Sequence, residues 1–221
     1  SPYAGTGIVG TVSGTSISFG SASTFGTADS SGGYDVLFPK IAFDSTANKV
    51  VIIFRGLSGY TRGVVGTVSG TSISFGTDQT VDTDTGPSEH NIVYDSNADR
   101  SVFIFVANAG DQVTWESSAT VGEVGACYDS NINRTIVTYR DGSNSNAGTS
   151  IPLAVSGLTV TAETQTVFTT NRADQQVAAF DSNLNKVVVA YTDEGNSSYG
   201  TAAVGTPASA AVDLSVGSTY Y

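Results

Sequence analysis

Hydrophobic and polar residues alternate along most of this chain. Short runs rich in Val, Ile, Phe and Tyr are bounded by Gly, Asn, Asp and Ser. No stretch shows the spacing of three and four residues that marks an amphipathic helix. The pattern therefore predicts an all-β protein.

Two repeated phrases organise these runs. The sequence VGTVSGTSISFG occupies residues 9–20 and, without a change, residues 65–76. A second phrase places Asp-Ser, three residues and a basic residue between two β-type runs. It starts at Asp44, Asp95, Asp129 and Asp181, at intervals of 51, 34 and 52 residues. Repeats of about 40–50 residues with four short strands each are typical of β-propeller blades.

Each repeat is predicted to contain four strands, named A to D in chain order. In the first full repeat, A and B are joined by a turn at residues 44–48, and C and D by the tight turn Ser69-Gly70, where glycine allows a positive φ. The first repeat has predicted strands at 36–43, 49–55, 60–68 and 71–75, and the second at 91–94 and 100–106, with a short outer pair near 112–115 and 119–121. The third has strands at 123–128, 135–140, 148–155 and 158–162. The fourth has strands at 176–180, 186–191, 199–205 and 212–216.

We predict one domain over residues 1–221, a β-propeller with four full blades of four strands and an extra N-terminal hairpin, giving a four- or five-bladed ring. The blades are predicted at 34–76, 88–121, 123–163 and 175–217, and residues 1–20 form the outer hairpin of the closing blade. Three ways of closing the ring remain open. A longer parent chain supplies the missing A–B pair, a neighbouring subunit supplies it, or four blades close and the N-terminal hairpin lies outside the ring or seals the seam. A β-sandwich or a β-solenoid is the alternative fold.

Composition narrows the range of partners. Nine basic and twenty acidic residues give a net charge of −11, which repels nucleic acid and anionic lipid. No apolar run approaches the roughly 20 residues of a membrane helix, so we expect no membrane insertion. Charged residues make up only 13% of the chain, with many hydroxyl residues in their place, as is common in extracellular and virion proteins. The chain starts at Ser1 without a visible signal peptide, so we expect a processed or partial product.

Few residues suggest metal or catalytic chemistry. The Asp-Ser turns resemble the start of a calcium loop but lack its Gly at position 6 and Glu at position 12, so we predict hairpin turns and no metal. We also predict a solvated acidic loop at residues 82–86 with Glu89. The single cysteine, Cys127, excludes an internal disulfide, and its alternating neighbours predict a small buried residue.

The chain shows no catalytic signature. His90, the sole histidine, has no nucleophile motif near it and is predicted to be a surface or turn residue. Trp115, the sole tryptophan, is predicted to pack in the shortened second blade. The acid/base candidates share no patterned position; they are Glu89, Glu116, Glu123, Glu163 and Glu194. We therefore predict no catalytic residues, no cofactor and no enzymatic activity.

The B–C loops carry the residues best suited to a ligand. They correspond between repeats and should project from one face of a ring. Asn, Asp, Arg and Tyr together supply the donors, acceptors and stacking planes that sugars require, while ordinary turn chemistry is the alternative explanation. The candidate ligand-binding residues are Arg55, Tyr60, Arg140, Asp141, Asn144, Asp193, Asn196 and Tyr199.

The repeating unit, carried by residues 9–20, 44–54, 60–76, 129–141 and 181–205, resembles propeller-like repeats of marine bacteriophage tail-fibre and related virion proteins. Its blade length is also similar to that of five-bladed tachylectin-like lectins. The resemblance implies a virion or extracellular, non-enzymatic module that recognises host-surface glycan or mediates adhesion. The alternative is a structural subunit of a filament or virion assembly, completed by strand sharing with homo-oligomeric neighbours. A propeller glycosidase is a third, less favoured hypothesis.

Overall fold

A computed structural model describes residues 4–26, 36–56, 59–83, 89–106, 115, 121–208 and 211–216. These residues form an all-β fold of antiparallel sheets, with short 3-10 turns between some strands. The chain divides into two compact units, Ser1–Ile92 and Val93–Tyr221. Within the described ranges, no helix is long and apolar enough to cross a membrane.

Among its described residues, the first unit contains three antiparallel sheets. Strand β1 pairs with β4, β2 pairs with β3, and β5 to β8 form a sheet in chain order that β9 joins by pairing with β7. The strands are β1 (Gly5–Gly7), β2 (Gly10–Ser13), β3 (Ser16–Phe19), β4 (Ser23–Phe25), β5 (Leu37–Asp44), β6 (Lys49–Arg55), β7 (Thr61–Ser69), β8 (Ser72–Phe75) and β9 (Gln79–Asp82).

The second unit is built around an eight-stranded sheet. Strand β10 (His90–Asp95), which contains the boundary between the units, pairs with β11 (Arg100–Phe105). The large sheet has the order β12-β13-β14-β16-β17-β18-β19, and β15 pairs with β14. Its strands are β12 (Val121–Asp129), β13 (Arg134–Asp141), β14 (Ala147–Ser156), β15 (Thr159–Ala162), β16 (Thr166–Asp181), β17 (Lys186–Asp193), β18 (Tyr199–Ala208) and β19 (Ala211–Val216).

In two of the repeats, two different segments of the chain pair with the edge of strand C that faces away from strand B. The second half of strand C, β7, pairs with β8, and its first half pairs with β9. Strand β14 pairs in the same way with β15 and with the start of β16. The sequence pattern missed these return strands and placed the start of the fourth A strand at residue 176, whereas β16 begins at Thr166. They are needed because strand D is too short to satisfy the backbone groups along all of strand C.

The Asp-Ser turns are hairpin turns, as the sequence predicted. The Oδ1 atom of each Asp accepts hydrogen bonds from the N–H groups two and three residues ahead, at 2.8–3.3 Å. The fourth residue after each Asp adopts a left-handed conformation, with φ between 51° and 55°. Asn and Asp tolerate this conformation better than other residues with side chains. These residues are Asn48, Asp99, Asn133 and Asn185.

Consecutive repeats of the second unit share a buried apolar cluster. Cys127 of β12 and Ile136 of β13 belong to the same cluster as Val187 and Val189 of β17. Burial, followed by the nearby charge of Asp129, raises the pKa of the Cys127 thiol to about 12. Cys127 is therefore a buried, protonated core residue, which confirms the sequence prediction.

Other sequence predictions have mixed outcomes. Trp115 packs against the cluster around Tyr139, with ring centroids 6.4 Å apart, as expected for a packing residue. Most of the predicted outer pair near 112–121 lies outside the described residues, and Val121 belongs to β12. Asp82 ends strand β9 and is buried, so its assignment to a solvated loop was wrong, while residues 84–86 of that loop lie outside the described ranges.

Candidate functional site

The loop between β13 and β14 is a built structure. The buried Asp141 carboxylate accepts hydrogen bonds from the N–H of Ser143 at 2.9 Å and of Asn144 at 3.2 Å, and from the Ser143 hydroxyl at 2.6 Å. These bonds cap the 3-10 turn Gly142–Asn144. Ser145 and Asn146 follow with φ of 55° and 65° and return the chain to β14. The loop conformation is therefore fixed by its own polar groups.

The loop between β17 and β18 repeats this geometry. The buried Asp193 carboxylate accepts a hydrogen bond from the N–H of Gly195 at 2.9 Å, at the start of the 3-10 turn Glu194–Asn196. Ser197 and Ser198 then take φ of 55° and 60°. The equivalence between the two loops that the sequence indicated is therefore present in three dimensions.

Both loops contact one segment in the middle of β16. The carbonyl oxygen of Asn146 accepts a hydrogen bond from the N–H of Ala173 at 3.3 Å. In the other loop, Glu194 Oε1 lies 3.3 Å from Arg172 Nε. The β16 segment thus joins the two loops into one surface. We call residues 141–146, 171–175 and 193–199, together with Glu123 and Arg140, the loop cluster.

Two β-bulges shape the floor of the loop cluster. Glu123 in β12 and Gln175 in β16 have left-handed φ of 56° and 54°, and the pairing register shifts at both places. Glu123 Oε2 accepts a hydrogen bond from the Gln175 N–H at 2.9 Å. Bulges redirect side chains relative to the regular pleat. Here the backbone N–H of the bulge in β16 donates a hydrogen bond to the carboxylate of the bulge residue in β12.

Alternating charges link these elements. Arg140 donates a hydrogen bond to the Asp174 carboxylate and has its Nη1 4.0 Å from Glu123 Oε1. Arg172 Nε lies 3.0 Å from Asp174 Oδ2. Burial acts to raise the pKa of Asp174, but the hydrogen bond and charge of Arg140, assisted by Arg172, outweigh it and hold that pKa below its ordinary value. Asp174 is therefore ionised at neutral pH.

Six of the predicted ligand-binding residues belong to the loop cluster. Asn144 and Tyr199 are exposed, and Asn196 is half-buried. Asp141 and Asp193 are buried, and their carboxylates hold the turns. Arg140 is occupied by its carboxylate partners. The exposed members are thus those that could touch a ligand directly, while the buried ones position them.

Arg55 and Tyr60 belong to the first unit. Arg55 occupies the position of Arg140 in its repeat, and its guanidinium carbon lies 5.4 Å from the ring centroid of Phe38. Tyr60 is half-buried, and its carbonyl oxygen accepts a hydrogen bond from the Gly56 N–H at 2.8 Å. The corresponding loop of the second repeat, residues 107–112, lies outside the described residues.

Sequence reasoning missed Arg172 and Asp174 and gave Glu123 and Glu194 no particular role. Residues 171–175 were placed outside any strand, so their proximity to the B–C loops could not be inferred. The available signal was the β-type run Thr166-Val167-Phe168-Thr169, which marks the return strand that leads into this segment.

His90 lies at the start of β10 and is buried, so the prediction of a surface or turn histidine was wrong. Its Nε2 is hydrogen-bonded to the carbonyl oxygen of Phe38, next to the bulge in β5. Burial, together with the charges of Lys40 and Arg55, lowers its pKa against the raising effect of that hydrogen bond. The buried His90 ring therefore links β10 to the backbone of β5 within this unit.

Among the described residues, no group of three or more His, Cys, Asp or Glu side chains is arranged to hold a metal ion. No protein-family model and no curated protein sequence matches the chain.

Proposed function

We propose that the chain is a non-enzymatic β-propeller module of a tail fibre or similar extracellular appendage, and that its loop cluster recognises a host-surface glycan. The observation that carries this proposal is the pair of matching, self-capped loops that meet over one segment of β16. Preorganised loops lose less conformational entropy when they bind a ligand than flexible loops do. Such a pair suits recognition better than it suits a simple connection between strands.

The exposed groups of the loop cluster fit the chemistry of a sugar. Arg172 and Glu194 have side-chain exposures of 44% and 43%, and Asn144 adds an amide. These groups can donate to and accept from hydroxyl groups. Tyr199 is 51% exposed and offers a ring on which a sugar face can stack. The net charge of −11 disfavours polyanionic glycans, so we propose a neutral one.

The propeller arrangement is proposed from the repeat itself. In the third and fourth repeats, strands A, B and C pair in that order. In the third repeat, strand C also pairs with strand D, β15, and with the start of β16. Residues of both repeats, Cys127 and Ile136 from the third and Val187 and Val189 from the fourth, are buried in one apolar cluster. Blades of a propeller are related in this way.

A glycan array tests the proposal, followed by calorimetric titration of the best neutral ligand. We expect Tyr199→Ala and Asn144→Ala each to weaken binding about tenfold or more, because each removes a direct contact. Asp141→Ala should also weaken binding by releasing its loop. The control is Leu158→Ala, which changes a 92% exposed apolar residue outside the loop cluster. Equal affinities for Tyr199→Ala, Asn144→Ala and the control would remove the loop cluster from the proposal.

The second candidate is a structural subunit of a filament or virion assembly. It is favoured by the N-terminal hairpin, where Val12, Ile17 and Phe19 have exposures of 71%, 55% and 62%. Apolar surface of this kind is typical of a contact site. Light scattering over a range of concentrations tests it: assemblies larger than the monomer are expected, and a monomer at every concentration would eliminate it.

A further inference from the structure

The loop cluster contains an arginine that is held at one edge of its guanidinium. Arg172 Nε donates to both carboxylate oxygens of Asp174, at 3.0 and 3.3 Å, and lies 3.3 Å from Glu194 Oε1. Among the described residues, no hydrogen bond involves the terminal Nη1 and Nη2 groups of Arg172, and its side chain is 44% exposed. The planar guanidinium therefore keeps two neighbouring donor groups for a ligand.

A chain of charged groups fixes the orientation of Arg172. Asp174 also accepts a hydrogen bond from Arg140, and Arg140 Nη1 lies 4.0 Å from Glu123 Oε1. The other oxygen of Glu123 accepts the hydrogen bond of the Gln175 N–H at 2.9 Å. Arg140, Asp174 and Glu123 are all half-buried. Because Asp174 cannot turn away from Arg172 without losing Arg140, the guanidinium is oriented before a ligand binds.

The two matching loops contribute unequally to the surroundings of Arg172. Glu194 of the second loop corresponds to Gly142 of the first, which has no side chain to offer. A Cβ atom on the next residue, Gly195, would lie 2.1 Å from Asn171 Cγ, so glycine allows this turn to lie directly against β16. The second loop therefore adds a carboxylate beside Arg172, and the first loop adds none.

The loop cluster has a negative formal charge despite its arginines. Five acidic and two basic residues give it a formal charge of −3. An acidic sugar bound at Arg172 would bring another carboxylate close to Asp174 and Glu194, and their repulsion would oppose binding. A hydroxyl oxygen accepts a hydrogen bond from a guanidinium without adding charge. The charged residues counted here are Glu123, Asp141, Asp174, Asp193, Glu194, Arg140 and Arg172.

We propose that Arg172 is the specificity-determining residue of the loop cluster, and that its Nη1 and Nη2 groups donate to two adjacent hydroxyl oxygens of a neutral sugar. This inference rests on the proposed function and narrows its ligand to sugars with a vicinal pair of hydroxyl groups. The oxygens of such a pair are close enough for one guanidinium to reach both. Glu194 accepts a hydrogen bond from one of the same hydroxyl groups.

Deoxy sugars test the proposal, because they remove one hydroxyl and keep the ring. A glycan array first selects the sugar, and calorimetric titration then uses methyl glycosides. The probes are methyl mannoside, galactoside and glucoside, each compared with analogues that lack a single hydroxyl. For the selected sugar, we expect the two analogues that lack adjacent hydroxyls to bind about tenfold more weakly or more, since each loses a hydrogen bond to a charged donor.

Arg172→Lys separates the shape of the guanidinium from its charge. Lysine keeps the charge but cannot present two donor groups in a fixed plane. We expect this variant to bind the parent glycoside and the two deoxy analogues with affinities within about threefold of one another. Arg100→Lys is the matched control, because it makes the same change at an exposed arginine outside the loop cluster. It should keep both the affinity and the preference of the chain.

Tyr199→Ala distinguishes this inference from the proposed function. Stacking on an aromatic ring does not depend on a single hydroxyl. We therefore expect Tyr199→Ala to weaken binding of the parent glycoside and the deoxy analogues by a similar factor. The preference for the vicinal pair should remain in this variant and be lost only in Arg172→Lys.

The held edge of Arg172 is measured without a ligand. Its Nε–H should exchange with solvent more slowly than the Nε–H of Arg100, because Asp174 accepts the first, whereas Arg100 donates from Nη1 to the Asp99 carbonyl. Hydrogen exchange followed by NMR compares the two groups in one sample. Equal exchange rates would contradict an oriented Arg172 guanidinium.

The binding outcomes separate the two proposals. The same preference in the chain and in Arg172→Lys would overturn the role of Arg172 and leave the proposed function standing. Stronger binding of glycans with uronic or sialic acid, lost in Arg172→Lys, would assign Arg172 to a carboxylate and overturn the choice of a neutral vicinal pair. Failure of every glycan on the array to bind would remove both the proposed function and this inference.

Discussion

Arg140 makes the ion pair of the loop cluster with the greatest expected effect on stability, and Arg140→Met tests that assignment. The substitution keeps most of the side-chain length and removes the charge and the hydrogen bond to Asp174. In this variant, Arg172 still forms its ion pairs with Asp174 and Glu194. Glu123 loses the guanidinium of Arg140, which lies 4.0 Å away. The expected effect is thus loss of one charge-assisted hydrogen bond between two side chains that are each 17% exposed.

The magnitude follows from that geometry. Hydrogen bonds between charged groups contribute about 1.5–3 kcal/mol, and exposed ion pairs about 0–1 kcal/mol. For a pair mostly shielded from solvent, we expect Arg140→Met to lower the free energy of unfolding of the second unit by about 1–2 kcal/mol at pH 7. Arg172→Met is the matched control, because that side chain contacts the same carboxylate but is 44% exposed. It should cost less than about 1 kcal/mol.

The cost of Arg140→Met should depend on pH. Since the pKa of Asp174 is lower in the folded chain, its contribution to stability is fully present above its ordinary pKa of 3.8 and is lost as the pH falls through the lower, folded value. The difference between the chain and Arg140→Met should therefore be constant from pH 5 to 8 and shrink below about pH 4.

Denaturant unfolding at pH 7 and pH 3 measures this difference. Asp174→Asn, alone and combined with Arg140→Met, completes a double-mutant cycle that isolates the energy of the pair. A cost below about 0.3 kcal/mol at pH 7, or the same cost at pH 7 and pH 3, would refute the reasoning.

Three further predictions concern the core and the turns. Cys127 should not react with a thiol reagent at pH 8 until the chain unfolds, because the thiol is buried and its pKa is about 12; rapid reaction of the folded chain would contradict this. Ile136→Ala, at a fully buried position, should lower the free energy of unfolding by about 2–5 kcal/mol, whereas Leu158→Ala should change it by less than about 0.5 kcal/mol in the same denaturant titration. Asn185→Ala should cost about 1 kcal/mol because of its φ of 51°, while Asn185→Gly, which allows that φ, should cost only a few tenths of a kcal/mol; equal costs in thermal unfolding would contradict the role of backbone conformation.

Local chemistry made several features predictable from sequence. Strand β6 has the predicted bounds, residues 49–55, because a continuous run of β-branched residues lies between a turn and a glycine. The Asp129 turn was assigned correctly because its carboxylate bonds to N–H groups two and three residues away. Gly70 has the positive φ expected of the tight turn. Each of these features depends on residues adjacent in sequence.

The candidate site was predicted only in part. Asn144 and Tyr199 were recognised from loop composition, but the partners of Arg140 were not. Asp174 is 34 residues away along the chain, and only the pairing of β14 with β16 brings it close. Likewise, the burial of Asp141 and Asp193 depends on neighbouring strands, so sequence could not separate residues that position a loop from those that face solvent.

The two copies of VGTVSGTSISFG show where the information in the sequence ends. The sequence alone determined their turns and hairpin pairing, which both copies form alike, because these depend on contacts within twelve residues. Only the tertiary structure decided that Phe75 packs against Phe25, with ring centroids 5.0 Å apart, while Phe19 is 62% exposed. Burial depends on which distant strands lie opposite a residue, and identical residues in different surroundings therefore differ in exposure.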